Sequence, residues 1–531
     1  MSKNQILKDV RVEKLGYGWV GIARLENGKT VMIKGALPGS VVDCKIIKSK
    51  KDYVEAHIVA VKHVDAGVAD GEVKCPHYQF PYQTQSGVER LPEHKDGCWG
   101  CKWQIVSYDQ QLQLKYQIVQ DCFHKAVKHI WAVTIFPVVP SPLVFGYRNK
   151  IEYSFWKYFR RGEALEWRDI AEHWQLGFHK QGSFEKVIDI DQCYLVSQEM
   201  HEVYAYVKAQ LLASGLPVHD SKTHKWLLRH MVIRHGVHTG QILLNLSIST
   251  HHLVDHPQDE ERWTALISAW KQDAWLQERM TSLVINENNG LADVVKPEQV
   301  HMDHIRWPGS IYEELHFDLG ATISKESYED GHAREELPED EDKIMRFRVS
   351  PFSFFQTNTL GAEQLFSKAA QVVGRVEGNI IDLYCGSGTI GLCFLALGKW
   401  KHLKGIEIVE DAVKDAHFNA KINGFEEHAS FYAGKAEDLL RQWVIDDTFF
   451  VWGDLVVVDP PREGLHARVV DFLVTLNKRY PFKLLYISCN PVTMARDIQL
   501  LVEWGFRCGD LHPVDMFPHT HHIEVVGVLY G

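Results

Sequence analysis

Two residues in the C-terminal part of the sequence have side chains suited to covalent and acid–base chemistry. Cys489 lies just beyond a strand-like segment, in the run ISCNP. A cysteine thiolate is a strong nucleophile, although a free thiol is only slightly ionised at neutral pH. Glu524 ends the run DMFPHTHHIE and is a candidate base, with His521 or His522 as a rival. Together with His519 these histidines permit a metal site, but their spacing does not match a ligand set.

A glycine-rich turn predicts a ligand site in the same region. The run DLYCGSGTIG begins at Asp382, follows a strand and opens a helix, and its glycines let the backbone approach a ligand closely. Glu407 ends the next strand, roughly 20 residues on, where a carboxylate can accept hydrogen bonds from ribose hydroxyls. The combination resembles the S-adenosylmethionine site of Rossmann-like methyltransferases more than a dinucleotide site.

A second carboxylate follows a buried strand in the run VVDPPREG. Asp459 lies at the carboxyl end of that strand and therefore faces the ligand crevice, and the two prolines stiffen the loop. Base N-methyltransferases commonly place a stacking aromatic after such prolines. Arg462 stands there instead, which argues against N-methylation and leaves C-methylation open.

Methylation at carbon gives the cysteine a physical reason to attack a pyrimidine. Uracil C5 is a poor nucleophile, but adding the Cys489 thiolate to C6 turns C5 into an enolate-like carbon that can take a methyl group. The C5 proton must then leave before the thiol is eliminated, and Glu524 is the candidate acceptor.

Four cysteines form a possible metal site. The run CWGC supplies Cys98 and Cys101, with Cys75 upstream and Cys193 downstream. In a reducing compartment, this number of cysteines with a C-x-x-C pair indicates a four-cysteine site for zinc or an iron–sulfur cluster. A redox pair or unrelated buried cysteines are the alternatives.

The first 62 residues predict a small β-barrel of the OB type. Five short β-rich runs between residues 10 and 60 are separated by glycine turns, including Asn27-Gly28, a strong hairpin signal. Lysines around residues 45–51, with Tyr53 beside them, suit a phosphate backbone and a stacked base. The alternative is an edge strand whose lysines prevent aggregation.

The remaining sequence predicts two further domains. Residues 63–346 mix strand-like and helical patterns into an α+β central domain, with apparent insertions at 76–97 and 326–342. From residue 347 onward, strands alternate with helices, which predicts a C-terminal α/β domain with a parallel, doubly wound sheet.

Composition and charge limit the class of protein. The chain has 531 residues and is 45% hydrophobic, 24% charged and 11% aromatic, which excludes a disordered chain, a collagen-like repeat and a small disulfide scaffold. Because we find no long apolar run and no signal-like N-terminus, we expect a cytoplasmic protein without a membrane span. The net charge is −11, yet residues 1–62 carry +6 and residues 326–342 carry −8, an asymmetry compatible with nucleic-acid contact.

These motifs together resemble the RNA 5-methyluridine (uracil-C5) methyltransferases. The resemblance is greater to the branch that carries a TRAM domain and an iron–sulfur cluster and acts on 23S ribosomal RNA, and it covers nearly the whole chain. The runs GYG at Gly16 and GALPG at Gly35 are similar to the TRAM module. The run FFQTN, with Gln356, is similar to the segment that enters the family's catalytic domain.

The resemblance implies a role for each candidate residue. Cys489 matches the nucleophile and Glu524 the proton acceptor. It also implies S-adenosylmethionine as the methyl donor and a [4Fe–4S] cluster, with zinc as the less favoured alternative. The implied cofactor positions are Gln356, Tyr384, Glu407 and Asp459, and the implied cluster ligands are Cys75, Cys98, Cys101 and Cys193. The family usually has few residues between the first two ligands, but loop closure costs grow slowly with length, so an insertion there need not break the site.

We therefore expect methylation of uridine C5 in 23S ribosomal RNA through a covalent cysteine adduct, with no obligate protein partner. The closest alternative is the same reaction on transfer RNA. A 5-methylcytosine methyltransferase is disfavoured because its second active-site cysteine is absent beside Asp459. A non-catalytic RNA-binding iron–sulfur scaffold is the remaining alternative.

Overall fold

A computed structural model describes most of the chain. The described residues are 1–78, 82, 97–98, 100–126, 133–157, 174–180, 186–219, 227–290, 299–301, 309–317, 343–374, 378–398, 400–446 and 454–531. The predicted insertion at 326–342, and most of the one at 76–97, lie outside these residues. No helix in the described ranges is long and apolar enough to cross a membrane.

The N-terminal residues form a six-stranded sheet in the order β1-β5-β6-β4-β3-β2. The predicted hairpin at Asn27-Gly28 is confirmed, because Gly28 N donates to Leu25 O at 2.8 Å between two antiparallel strands. One strand more than predicted is present, since the chain turns at Gly18, where φ is +82°. The strands are β1 (Ile6–Arg11), β2 (Lys14–Gly16), β3 (Val20–Arg24), β4 (Thr30–Lys34), β5 (Ser40–Ser49) and β6 (Tyr53–Val64).

The central region is built on a seven-stranded mixed sheet in the order β13-β12-β11-β10-β7-β8-β9. Its strands are β7 (Lys150–Lys157), β8 (Trp174–His179), β9 (Val187–Asp189), β10 (Leu228–His235), β11 (Ile242–Ile248), β12 (Ser282–Glu287) and β13 (Gln299–His301). Its helices are α2 (Gln198–Ser214), α3 (His251–Asp255), α4 (Pro257–Gln272) and α5 (Ala274–Arg279). Asp273 separates α4 from α5 and caps α5 by accepting from Leu276 N at 3.0 Å.

The C-terminal region is a seven-stranded sheet in the order β18-β17-β16-β19-β20-β22-β21. The inner strands are parallel, as predicted, while β22 runs antiparallel to both β20 and β21. The strands are β16 (Ile380–Leu383), β17 (Leu403–Glu407), β18 (Ala429–Ala433), β19 (Leu455–Val458), β20 (Lys483–Ser488), β21 (Arg507–Val514) and β22 (Glu524–Tyr530). The helices are α6 (Thr359–Val373), α7 (Thr389–Leu397), α8 (Glu410–Ile422), α9 (Ala436–Asp446), α10 (Ala467–Arg479) and α11 (Pro491–Glu503).

Two further elements join the regions. The strands β14 (Ile311–Phe317) and β15 (Lys343–Val349) form an antiparallel pair that packs on the C-terminal sheet. Helix α1 (Tyr108–Ala126) places Val119 and Phe123 in the core of the C-terminal region. Its position therefore ties the central region to the sheet that carries the candidate site. The predicted domain boundaries at residues 62 and 346 stay predictions.

Candidate active site

Cys489 lies between a buried strand and the start of a helix. It follows β20 directly, and Asn490 caps α11 by accepting from Val492 N at 3.1 Å, with Pro491 in the first turn. A helix N-terminus stabilises negative charge nearby, which favours the thiolate form of this cysteine. The tight turn is closed by Ser488, whose Oγ accepts from Asn490 N at 3.1 Å.

Glu524 lies opposite Cys489 at the end of the neighbouring strand. In the antiparallel pair β20–β22, Ser488 is paired with Val525, so the next positions outward are Cys489 and Glu524. The Glu524 side chain is buried. The strand pairing therefore brings the predicted nucleophile and the predicted base together at one sheet edge.

The charges around the thiol oppose one another. The pKa of Cys489 is raised to about 11, mainly by burial and also by the carboxylates of Glu524 and Asp459, while Arg462 opposes the rise through its charge and a hydrogen bond to the thiol. Burial also raises the pKa of Glu524, and Asp459 adds to that effect. A carboxyl group with a raised pKa is a better proton acceptor than an ordinary glutamate.

Three carboxylates converge where β16, β17 and β19 end. Asp382 is buried, and its Oδ2 accepts from Gly391 N at 3.0 Å. The pKa of Asp382 is raised to about 8, mainly by burial and also by the neighbouring charges of Asp459 and Glu407. Its second oxygen, Oδ1, is buried without a hydrogen-bond partner. Such a cleft suits a positively charged ligand that also carries hydrogen-bond donors.

The predicted glycine loop contains residues with a left-handed backbone, which lets the chain turn tightly beside a ligand. Tyr384 has a left-handed backbone with φ of +68°, and Gly386 and Gly388 follow at +54° and +79°. Gly386 N donates to Glu407 Oε2 at 3.1 Å, which ties the loop to the end of β17. A Cβ at Gly388 would lie 3.0 Å from the Phe431 ring, so a larger residue there would crowd the turn.

The segment that contains Gln356 lies beside this loop. Gln356 is buried, and its backbone carbonyl accepts from Asn149 Nδ2 at 2.8 Å. Ser387 Oγ donates to Phe354 O at 3.4 Å. Asn358 Nδ2 donates to Met516 O at 3.0 Å, so the same segment also contacts the chain leading to Glu524.

The loop after Asp459 is fixed to the helix that follows Cys489. The backbone carbonyl of Arg462 accepts from Asn490 Nδ2 at 2.8 Å and from Thr493 Oγ1 at 3.2 Å. Tyr17, from the turn between β2 and β3, donates its hydroxyl to Cys489 O at 3.1 Å. The site is therefore assembled from the N-terminal and C-terminal regions together.

The histidines before Glu524 are poor bases. Burial, together with nearby positive charges, lowers the pKa of His519 and His521 to about 4 and that of His522 to about 3. His519 N donates to Gln111 Oε1 at 2.8 Å, so α1 holds this segment in place. These properties favour Glu524 over His521 or His522 as the proton acceptor.

The four predicted metal-ligand cysteines lie near one another. Burial is the main cause that raises the pKa of each thiol, and the charges of Cys75 and Cys193 raise the pKa of both Cys98 and Cys101. Each sulfur also accepts a hydrogen bond, from backbone amides or from the Gln104 side chain. Within the described part of the chain, no three His, Cys, Asp or Glu side chains are gathered closely enough to hold a metal ion.

Two residues of the site were not assigned a role from the sequence. In the sequence, Arg462 argues only against N-methylation, although the run VVDPPREG places it beside a ligand crevice. Tyr17 carried no such signal, because 472 positions separate it from Cys489.

Comparison with known proteins identifies two modules in the chain. The family described as tRNA (Uracil-5-)-methyltransferase matches residues 320–530, and the TRAM domain matches residues 7–59. An RNA methyltransferase of Chlorobaculum tepidum, named as uncharacterized, is 33% identical over 513 residues, which are 94% of this chain and 91% of that protein. A second such protein, from Caldanaerobacter subterraneus subsp. tengcongensis, is 31% identical over 530 residues, 100% of this chain and 99% of the other.

A solved structure shows the same fold. The Pyrococcus abyssi tRNA (uracil-54, C5)-methyltransferase in complex with S-adenosyl-L-homocysteine superimposes with a TM-score of 0.62 and 23% identity. The match covers 98% of this chain and 100% of that one. The predicted arrangement of an N-terminal TRAM domain and a C-terminal methyltransferase domain is thereby confirmed.

Proposed function

Because the chain belongs to the TRAM-containing family of RNA uracil-5 methyltransferases, we propose that it methylates C5 of uridine in 23S ribosomal RNA through a covalent adduct of Cys489. The observation that supports this reaction is that Cys489 and Glu524 lie opposite each other at the ends of the paired strands β20 and β22. A nucleophile and a proton acceptor at one sheet edge suit addition to C6 followed by proton loss from C5.

The steps follow from what each side chain can do. The Cys489 sulfur, as the thiolate, forms a bond to uracil C6 and makes C5 enolate-like. C5 takes the electrophilic methyl group of S-adenosylmethionine, whose methyl–sulfur bond breaks and which leaves as S-adenosylhomocysteine. Glu524 then accepts the proton from C5, the C6–sulfur bond breaks, and the electron pair returns to the cysteine. One proton is released per methyl group transferred.

The cleft at the ends of β16, β17 and β19 fits the methyl donor. The sulfonium and amino groups of S-adenosylmethionine are positively charged, and Asp382 offers an unpartnered buried oxygen beside the carboxylates of Glu407 and Asp459. We assign the donor site to Gln356, Tyr384, Glu407 and Asp459. The Pyrococcus abyssi enzyme of the same fold, which was solved with S-adenosyl-L-homocysteine, supports this assignment.

We assign RNA binding to the N-terminal sheet and the central region. Lys45, Lys50 and Lys51 are exposed at one end of the N-terminal sheet, where they can contact phosphates. The uridine must leave its stack to expose both C5 and C6, so we infer that it is flipped into the C-terminal site.

The substrate is tested by supplying purified enzyme with labelled S-adenosylmethionine and separate pools of unmodified 23S ribosomal RNA and transfer RNA. The products are digested and the nucleosides identified. We expect 5-methyluridine in ribosomal RNA. If 5-methyluridine appears in transfer RNA alone, the proposed mechanism stands and the proposed substrate is wrong. The transfer RNA pool is included because the Pyrococcus abyssi enzyme is named as a tRNA methyltransferase. No methylated uridine in either pool would contradict the proposal.

We also propose that Cys75, Cys98, Cys101 and Cys193 hold a structural [4Fe–4S] cluster, with zinc as the alternative. Four cysteine thiols are the donor set that such clusters use, and the charges of Cys75 and Cys193 act on both Cys98 and Cys101. Because no three ligands in the described residues are gathered closely enough to hold a metal ion, the proposal requires the four thiols to come closer together when the cluster binds. Iron, sulfide and zinc analysis of anaerobically purified protein tests this proposal. A C98S variant should lose the metal while C508S keeps it, and equal metal content in both would overturn the ligand set.

A further inference from the structure

The turn between β2 and β3 reaches across the molecule to the nucleophile. Tyr17 Oη donates to the backbone carbonyl of Cys489 at 3.1 Å. Its ring meets that of His521 edge-on, with centroids 6.1 Å apart. A side chain of the N-terminal sheet thus contacts both the Cys489 loop and the segment leading to Glu524.

The backbone of this turn is strained in a way that keeps Tyr17 in place. Trp19 has φ of +61°, a left-handed conformation that is uncommon for a bulky residue, and Gly18 precedes it at +82°. The Trp19 side chain is almost fully buried and packs edge-on against Trp103, with centroids 6.1 Å apart. Strained turns persist where surrounding packing fixes them, and they are concentrated at functional sites.

A second contact holds the strand that leads into this turn. Lys14 Nζ, at the start of β2, lies 2.8 Å from Asp121 Oδ2 on α1. Helix α1 is itself packed into the C-terminal core through Val119 and Phe123. The strand before Tyr17 is therefore linked to α1, and through α1 to the C-terminal region.

The Tyr17 hydroxyl is a permanent hydrogen-bond donor. Its pKa is raised to about 12, mainly by burial and also by the charges of Cys489 and Glu524, against the opposing effect of Arg462. At working pH the phenol keeps its proton, so it acts as a donor to the Cys489 carbonyl and not as a base.

We propose that Tyr17 is a positioning residue that fixes the backbone of Cys489, so that the TRAM domain completes the active site as well as binding RNA. The inference rests on the proposed role of Cys489 as nucleophile. The proposed role depends on one hydrogen bond, from the Tyr17 hydroxyl to the Cys489 carbonyl. Tyr17→Phe removes that hydroxyl and leaves the ring in contact with His521.

The test compares Y17F with Y116F. Tyr116 Oη makes the same kind of bond, to the Ile135 carbonyl at 3.2 Å, elsewhere in the protein. For Y17F we expect a drop of roughly threefold to tenfold in the single-turnover methylation rate, as one hydrogen bond allows, with KM for RNA unchanged. Hydrogen exchange of the RNA-free protein should become faster around residues 488–490 in Y17F alone.

Each outcome separates the inference from the proposed function. Loss of rate together with faster exchange in Y17F, but not in Y116F, supports the positioning role. A wild-type rate in Y17F, unchanged exchange, or an equal loss in Y116F would overturn it. If the wild-type enzyme methylates no RNA, the proposed function fails instead, and the exchange comparison still tests whether Tyr17 holds the Cys489 loop.

Discussion

Lys115 and Asp515 form a fully buried ion pair, with 2.6 Å between Nζ and Oδ1. Lys115 also donates to Phe517 O at 3.0 Å. The lysine lies on α1, and the aspartate begins the segment that leads to Glu524. One side chain from the central region therefore holds the approach to the predicted base.

Removing one partner of this pair should destabilise the protein strongly. K115M leaves the Asp515 carboxylate buried without a counter-charge, which costs about 3–5 kcal/mol of unfolding free energy. Urea denaturation followed by tryptophan fluorescence measures the loss. As a control, K414M removes the exposed Lys414–Asp411 pair, whose Nζ–Oδ1 distance is 2.8 Å, and should change the unfolding free energy far less. If both variants lost the same unfolding free energy, burial would not explain the contribution of the Lys115–Asp515 pair.

Cys489 should be essential for turnover. We expect C489A to lose methyl transfer to RNA entirely, because the proposed bond to C6 requires this thiol. Incorporation of labelled methyl groups into RNA is the measurement. C508A, which removes a half-buried cysteine from β21, should retain wild-type activity. Wild-type rates in C489A would refute the covalent mechanism.

Glu524 should act after the covalent bond has formed. E524Q keeps the shape of the side chain but cannot take the C5 proton, so the methylated adduct should accumulate. A denaturing gel with labelled RNA would show a slower protein–RNA band in E524Q that is absent in C489A/E524Q. If no band appears although methyl transfer is slowed, another base removes the proton.

The reactivity of Cys489 should rise with pH. Its pKa is raised to about 11, so at lower pH the thiol keeps its proton, and the thiolate fraction grows about tenfold per pH unit. Alkylation of the Cys489 peptide by iodoacetamide should follow this slope between about pH 7 and pH 10.

Replacing Arg462 should shift the pH dependence of Cys489 alkylation to higher pH. Its positive charge and hydrogen bond lower the pKa of Cys489, so R462Q should raise the pKa and slow alkylation at every pH in this range. R507Q is the control, because Arg507 is exposed at the start of β21, the opposite end of the sheet from the site. Identical profiles for R462Q and R507Q would exclude an effect of Arg462 on the thiol.

The local patterns of the sequence predicted much of the C-terminal fold. The sequence predicted strands before the glycine turn, up to Glu407, before Asp459 and before Cys489, and the structure has β16, β17, β19 and β20 at these places. Strands that are buried on both faces have a nearly continuous apolar pattern, which makes them easy to find. The predicted strands did not include β18, β21 and β22. The register that sets Cys489 opposite Glu524 depends on β22, so the sequence named both residues without showing why they meet.

Contacts between distant parts of the chain could not be predicted from patterns. The hydrogen bonds of Tyr17 with Cys489 and of Gln111 with His519 join residues that are separated by more than 400 positions. Periodicity and spacing describe neighbours along the chain, whereas these pairs arise only from how the regions pack. The meeting of three carboxylates from residues 382–459 was predictable, because the carboxyl ends of parallel strands lie at one edge of the sheet.

The position of β22 between β20 and β21 has a consequence for the biosynthesis of the enzyme. The strand is inserted between β20 and β21, and its first residue is Glu524. During translation the ribosome adds Glu524 after every other residue of the site, while Tyr17 has long since emerged. The edge of β20 therefore has no β22 to pair with until that strand has been made, and the site cannot be complete before then.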